Sequence, residues 1–181
     1  MRLFIAINFD RAIKDSLTAL QEDLGQAGLS GRWTNPDNLH MTLAFIGDYG
    51  NPDEVLEVME DIPFAPFSMK LEGLQHFRDM YFARLGDCKE LKDYVRRLRK
   101  ALSDRGIPFD RKKFSPHITL ARRVSIRGGS LHSEVRVPFA EIDADHISLM
   151  RSDRGKHGMI YTELGRVDGI FNNSDDYRGE Q

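Results

Sequence analysis

Hydrophobic and polar positions change their period several times along this chain of 181 residues, and each change marks an element. Residues 2–8 (RLFIAIN) alternate well enough for a strand. Ile13, Leu17, Leu20 and Leu24 then recur at helical spacing, which predicts a helix over 10–28 with Asp10 as its N-cap and Gly25 or Gly28 as its stop. A short strand at Gly31-Arg32-Trp33-Thr34 leads into the turn signal Asn35-Pro36-Asp37-Asn38. Residues 40–46 form the next strand, ending at Gly47, and Pro52 opens a short helix over 52–61. Residues 67–74 and 80–85 read as a strand pair joined near His76 to Asp79. Leu91, Tyr94, Val95, Leu98 and Leu102 share one face of a second helix, 89–105, which Gly106 ends. A strand over 117–124 follows Phe114-Ser115-Pro116, with a loop at 127–130. Two further strands, 142–151 and 157–165, are separated by the turn-rich Ser152-Asp153-Arg154-Gly155. Residues 1–171 are expected to make one domain, and the polar stretch 172–181 a disordered tail.

Two of these strands open on nearly the same words, His40-Met41-Thr42-Leu43-Ala44 and His117-Ile118-Thr119-Leu120-Ala121. In a strand, residues i and i+2 share a face, so His40 with Thr42 and His117 with Thr119 each make a polar face backed by apolar residues. The order of elements is that of a degenerate duplication, each lobe offering one histidine strand to a shared groove. Two imidazoles facing one substrate can divide acid and base work, since their ordinary pKa lies near neutrality. Threonine adds a hydroxyl able to donate to a phosphoryl oxygen.

Composition narrows the class. The chain is 40% hydrophobic and 30% charged, carries a net charge of −2, and has a single cysteine, Cys88, with no motif around it. No apolar run is long enough to span a membrane and no secretory leader is evident, so a cytoplasmic location is expected; a monomer is expected as well. A globally basic nucleic-acid binder is not indicated; the basic residues gather between Arg96 and Lys113, eight against two acidic. The histidines at 40, 76, 117, 132, 146 and 157 lack close metal-ligand spacing, and neither a serine-nucleophile elbow nor a phosphate-binding loop occurs. No metal and no cofactor are expected.

On MRLFIAI, GRWTNPDNLHMTLAFIG, PHITLAR and the late Gly158 to Tyr161 element, the chain resembles the two-histidine (2H) phosphoesterases. More closely it resembles the bacterial and archaeal RNA 2′,3′-cyclic phosphodiesterases, first called 2′-5′ RNA ligases. The resemblance implies an α+β, bilobal fold with two small antiparallel sheets flanked by helices around a central groove. It implies metal-independent hydrolysis of RNA 2′,3′-cyclic phosphate ends, or of cyclic nucleotides, to 2′-phosphomonoesters. His40 would then be the proton donor, His117 the proton acceptor, and Thr42 and Thr119 the phosphate-binding hydroxyls. The family's arginine corresponds to Arg122, whereas strict strand alternation puts Arg123 on the histidine face. A 2′-5′ ligase, another cyclic-phosphate diesterase at the same site, and a non-catalytic RNA-end binding module are the alternatives.

Around these residues the expectations are plainer. Trp33 is expected in the core, although it could stack a base. His76-Phe77-Arg78-Asp79 stands where the family has a Phe-Pro turn and could line the groove. Arg111, Lys112 and Lys113 either steer RNA phosphates or cover a solvated loop. His157 is expected in an exposed hairpin.

Overall fold

The computed structural model describes residues 1–171, so the expected tail 172–181 lies outside the described residues. The chain runs β1 (Arg2–Asn8), α1 (Arg11–Gln26), β2 (Leu29–Trp33), β3 (His40–Asp48), α2 (Pro52–Glu60), β4 (Phe67–Phe77), β5 (Met80–Leu85) and α3 (Lys89–Asp104). It continues through β6 (His117–Ile126), β7 (Glu141–Ala144), β8 (His146–Gly155) and β9 (Gly158–Asp168). The strands make a four-stranded sheet of order β3-β1-β8-β9 and a five-stranded sheet of order β2-β6-β5-β4-β7. Each paired neighbour is antiparallel. This is the α+β, two-sheet architecture the sequence implied, with one histidine strand in each sheet.

The sheets are not successive halves of the chain. Strand β2 crosses to pair with β6, and β8 and β9 return to extend the sheet begun by β1 and β3. The helices cross as well: α1 packs on β2, while α3 lies against β3 and α2 against α3, β8 and β9. A duplicated β-α-β unit therefore exists, β1-α1-β3 and β5-α3-β6, but its helices interlock the two sheets.

Burial explains each element. Strand β1 is central and buried on both faces, as its unbroken apolar run demands. Leu3, Ile5 and Ile7 face the main core; Phe4 and Ala6 face a smaller cluster with Met150, Phe45 and Tyr161 on the other side. Helix α1 buries Ile13, Leu17, Leu20 and Leu24, and α3 buries Leu91, Tyr94, Val95, Leu98 and Leu102. Each such side chain contributes on the order of 1.5–3 kcal/mol. Gly28, just past the end of α1, takes a φ of +108° that a side chain would resist.

Two expectations fail in the last third. The strand over 142–151 is two strands in different sheets, broken at Asp145: β7 pairs with β4 and β8 with β1. The buried positions mark the break, since Ile142 and Ala144 alternate in one phase and Ile147 and Leu149 in the other. Ser152 to Gly155 is not a turn but the end of β8, paired with Tyr161 to Gly158. Turn-forming residue types are overridden there by a full backbone ladder, and the chain reverses at Lys156 and His157 instead.

At the start of α1 the Asp10 carboxylate accepts from the Ile13 backbone N–H at 2.9 Å, as its N-cap. Asp10→Ala should destabilise the protein by about 1 kcal/mol, measured by urea unfolding at neutral pH.

Candidate active site

Both histidines sit at the first position of their strands, and both are held the same way. His40 Nδ1 lies 2.6 Å from the Asn38 carbonyl, and His117 Nδ1 lies 2.7 Å from that of Ser115. A carbonyl only accepts, so each Nδ1 carries a proton and each neutral ring keeps its lone pair on Nε2. His40 Nε2 in turn accepts from the Thr42 hydroxyl at 2.9 Å. Each ring packs on a phenylalanine from the strand paired with its own: Phe4 at 5.0 Å for His40 and Phe82 at 4.7 Å for His117. Tyr161 meets the His40 ring edge-on at 5.2 Å.

Beyond the threonines both strands bulge at the same place. On β3, Thr42 pairs with Ala6 and Ala44 with Ile5, which leaves Leu43 as an extra residue. On β6, Thr119 pairs with Phe82 and Ala121 with Tyr81, which leaves Leu120 extra. Leu43 and Ala44, like Leu120 and Ala121, are consecutive and all buried. The inserted residue flips the alternation, so the next residue returns to the polar face. On β6 that residue is Arg122, opposite Met80; on β3 it is Phe45, opposite Phe4. Strict alternation, which favoured Arg123, is thereby corrected: Arg122 lines the groove. Arg123 adopts a left-handed φ of +52° at a second irregularity, where β2 slips against β6.

The bulges leave backbone carbonyls to be satisfied inside the core, and each helix supplies a polar side chain to the opposite unit. Gln21 of α1, a buried polar residue, donates from Nε2 to the carbonyls of Leu120 and Thr34, both at 3.0 Å. Arg99 of α3 donates to the Leu43 carbonyl at 3.3 Å and to that of Lys112 at 2.7 Å. The Arg99 guanidinium also lies against the rings of Phe109 and Phe114, 5.7 and 5.6 Å from their centroids. Gly31 packs so closely that a Cβ there would stand 2.9 Å from the Arg122 carbonyl oxygen.

These strands bring His40, Thr42, His117, Thr119 and Arg122 to one groove of about 500 Å³. Phe4, Thr34, Asn38, Phe45, Met159 and Tyr161 complete its central walls, with Arg2, Ser152 and Arg154 toward one end. Among the described residues no carboxylate lines it. Burial pushes the His40 pKa below its ordinary 6.5; the Asn38 carbonyl works against that, and the charges of Arg122 and His117 add to it. His40 therefore favours the neutral ring.

Other candidates fall away. Trp33 is neither core nor groove; it is 37% exposed and lies against Gly25. His76, Phe77, Arg78 and Asp79 do not line the groove: β4 extends to Phe77, His76 stacks on Tyr81, and Arg78 turns the hairpin. Arg111 lies over Phe109, and Lys112 pairs with Asp110. His157 is exposed in the final hairpin, as expected. His146 is bonded to Asp145 at 2.6 Å. Cys88 is buried, and burial pushes its thiol pKa up, which suits an inert side chain. Arg2, Phe45, Gln21 and Arg99 escaped the sequence reading. Its one usable signal was the adjacent apolar pair, Leu-Ala, where alternation must slip.

The LigT-like phosphoesterase family model matches residues 7–83 and 86–161. An RNA 2′,3′-cyclic phosphodiesterase of Thermotoga maritima is 27% identical over 176 residues, covering 91% of this chain and 93% of that one. Its namesake in Aquifex aeolicus is also 27% identical, over 90% of this chain and 94% of its own. Among solved structures, apo LigT of E. coli superposes with a TM-score of 0.75 at 24% identity, covering 94% of this chain and 98% of that one.

Gln21→Leu should leave the half-buried Thr34 carbonyl without its side-chain donor and cost about 1–3 kcal/mol in urea unfolding. A variant as stable as the parent would remove Gln21 from this role.

Proposed function

The chain belongs to the LigT-like phosphoesterase family, and from that membership we propose that it hydrolyses RNA 2′,3′-cyclic phosphate ends to 2′-phosphomonoesters. The observation that carries the reading is the pair of imidazoles, each fixed at Nδ1 by a backbone carbonyl and each beside a threonine in one groove. The same activity stands in the names of relatives that span nine-tenths of the chain.

The proposed reaction is an in-line displacement. A water held by neutral His117 attacks phosphorus; its oxygen forms the new P–O bond as its proton passes to His117 Nε2. The bond from phosphorus to O3′ breaks, and the His40 imidazolium delivers a proton to that oxygen. The product is a 2′-phosphate and a free 3′-hydroxyl. The Thr42 and Thr119 hydroxyls donate to the non-bridging oxygens, and the Arg122 guanidinium answers their charge.

His40 must be protonated for this role, although burial disfavours the imidazolium. An anionic phosphate reverses that preference, because a nearby negative charge stabilises the charged ring. The acid is thus loaded when substrate arrives. No step calls for a metal; among the described residues no carboxylate lines the groove and no cluster of three or more His, Cys, Asp or Glu could bind an ion. Residues 1–171 would act as one bilobal unit. No helix among the described residues is long and apolar enough to cross a membrane.

His40→Ala and His117→Ala should each lower kcat/KM on a nucleoside 2′,3′-cyclic phosphate by about 10²–10⁴-fold. EDTA should leave the parent unchanged, and phosphorus NMR should show the 2′-monoester. Parent-like turnover in either variant would sink the assignment. In a proton NMR titration the His40 ring should ionise below 6.5 in the free protein, and inorganic phosphate should raise its midpoint. The sign also governs stability. Below pH 6.5 the unfolded chain binds a proton that folded His40 resists, so stability should fall from 6.5 toward the lower folded value. His40→Asn should lose that part of the slope.

A further inference from the structure

The groove continues past the residues that hold one phosphate. Along β1 its floor runs from Phe4, packed on His40, to Arg2, one pleat repeat or roughly 7 Å further on. Arg2 is the ladder partner of Ser152 on β8, and Arg154 lies two residues beyond, on the same face. All three line the same cavity as the histidines. The Arg2 guanidinium rests 5.0 Å above the Phe45 ring, which limits its freedom in advance of any ligand.

Charge makes this end unusual. Neither Arg2 nor Arg154 forms an ion pair among the described residues, although Asp48 is the partner of Arg2 across the β1–β3 ladder. The protein has more acidic than basic residues, 28 against 26, yet among the described residues no acidic one lines the groove. A cyclic phosphodiester carries a single negative charge, and Arg122 already faces it. Two further guanidiniums, separated from Arg122 by the Phe4 and Phe45 rings, have no charge of that phosphate left to meet. Guanidinium forks with a serine hydroxyl between them suit a second phosphate group.

We propose that Arg2, Ser152 and Arg154 form a second phosphate subsite that takes the 5′-phosphodiester of the terminal nucleotide. The preferred substrate is then the cyclic end of an RNA strand, not a free cyclic mononucleotide. The inference rests on the hydrolysis proposed above and narrows its substrate. The sheet also sets the direction: the reacting phosphate lies at the histidine end, and the strand leaves over Phe4 and Phe45 toward β8.

The test compares adenosine 2′,3′-cyclic phosphate, the same compound with a 5′-phosphate, and an RNA tetranucleotide with a cyclic end. Parent protein should favour both 5′-phosphorylated substrates by about tenfold or more in kcat/KM, mainly through KM, as expected for charge-assisted hydrogen bonds. In R2Q/R154Q, shown folded by circular dichroism, that ratio should collapse to within about threefold. No preference in the parent, or an undiminished one in the double variant, overturns the subsite. A preference for the 5′-monophosphate that the tetranucleotide does not share overturns the strand substrate. A binding arm needs no turnover. Anisotropy of a labelled tetranucleotide ending in a 2′-phosphate, read across salt concentrations, should lose a slope of about 0.7 for each phosphate contact removed. If no cyclic substrate is hydrolysed, the proposed activity fails while this slope still decides the subsite.

Discussion

The structure turns on two hydrogen bonds that two helices send across to each other's unit. A bulge in the middle of a sheet exposes backbone groups where no water reaches them, and an unpaired carbonyl there costs about as much as a lost hydrogen bond. At the bulges Arg99 reaches the Leu43 carbonyl, and Gln21 together with the Thr34 backbone N–H satisfies that of Leu120. Both residues stand at the eleventh of the sixteen positions of their helices. Each serves the histidine strand of the other unit, so the clasp is reciprocal. It fixes the phase of two strands, and the phase decides which side chains share the groove with the histidines.

This clasp explains what was legible in the sequence and what was not. The two helices and the polar faces of His-x-Thr follow from local periodicity, and the structure has them where the spacing put them. Arg122 against Arg123 could not be decided by alternation, because alternation assumes an unbroken ladder. The slip is set by a partner on a helix about a hundred residues away in the chain, as Gln21 is from Leu120. The same limit produced the misplaced turn at Ser152 to Gly155: residue types that favour turns were held extended by pairing with β9. Arg2 went unnoticed because a single arginine beside an apolar strand carries no pattern of its own. Only the ladder sets it beside Ser152 and over Phe45.

Interlocking also accounts for how a site between two sheets keeps its dimensions. Had the chain folded as two successive halves, the groove would lie at a lobe interface free to open. Strand β2, helix α1 and the β8–β9 hairpin instead cross between the sheets, and a single core cluster includes residues of both. The Thr34 backbone N–H donates to the Leu120 carbonyl at 2.9 Å and the Asp110 N–H to that of Phe45 at 2.8 Å. Loops on either side are thus sewn to the bulged strands. On the proposed function, groups held on paired strands in this way spend little energy on reorganisation when a phosphate enters.

The duplicated scaffold would be symmetric in function if its two halves were chemically alike, and they are not. Where β6 presents Arg122, β3 presents Phe45, and the cation of that half sits beyond the ring, on Arg2. His40 is enclosed by Phe4 and Tyr161 and feels the positive charge of Arg122, so its imidazolium is disfavoured. On the proposed mechanism this asymmetry supplies direction. Two equivalent imidazoles would protonate either oxygen of a cyclic phosphate, whereas here the acid is the ring that the substrate's own charge switches on. Moving an arginine to position 45 would oppose that switch: it would add a second cation to the ring's surroundings and hold His40 neutral even with phosphate bound.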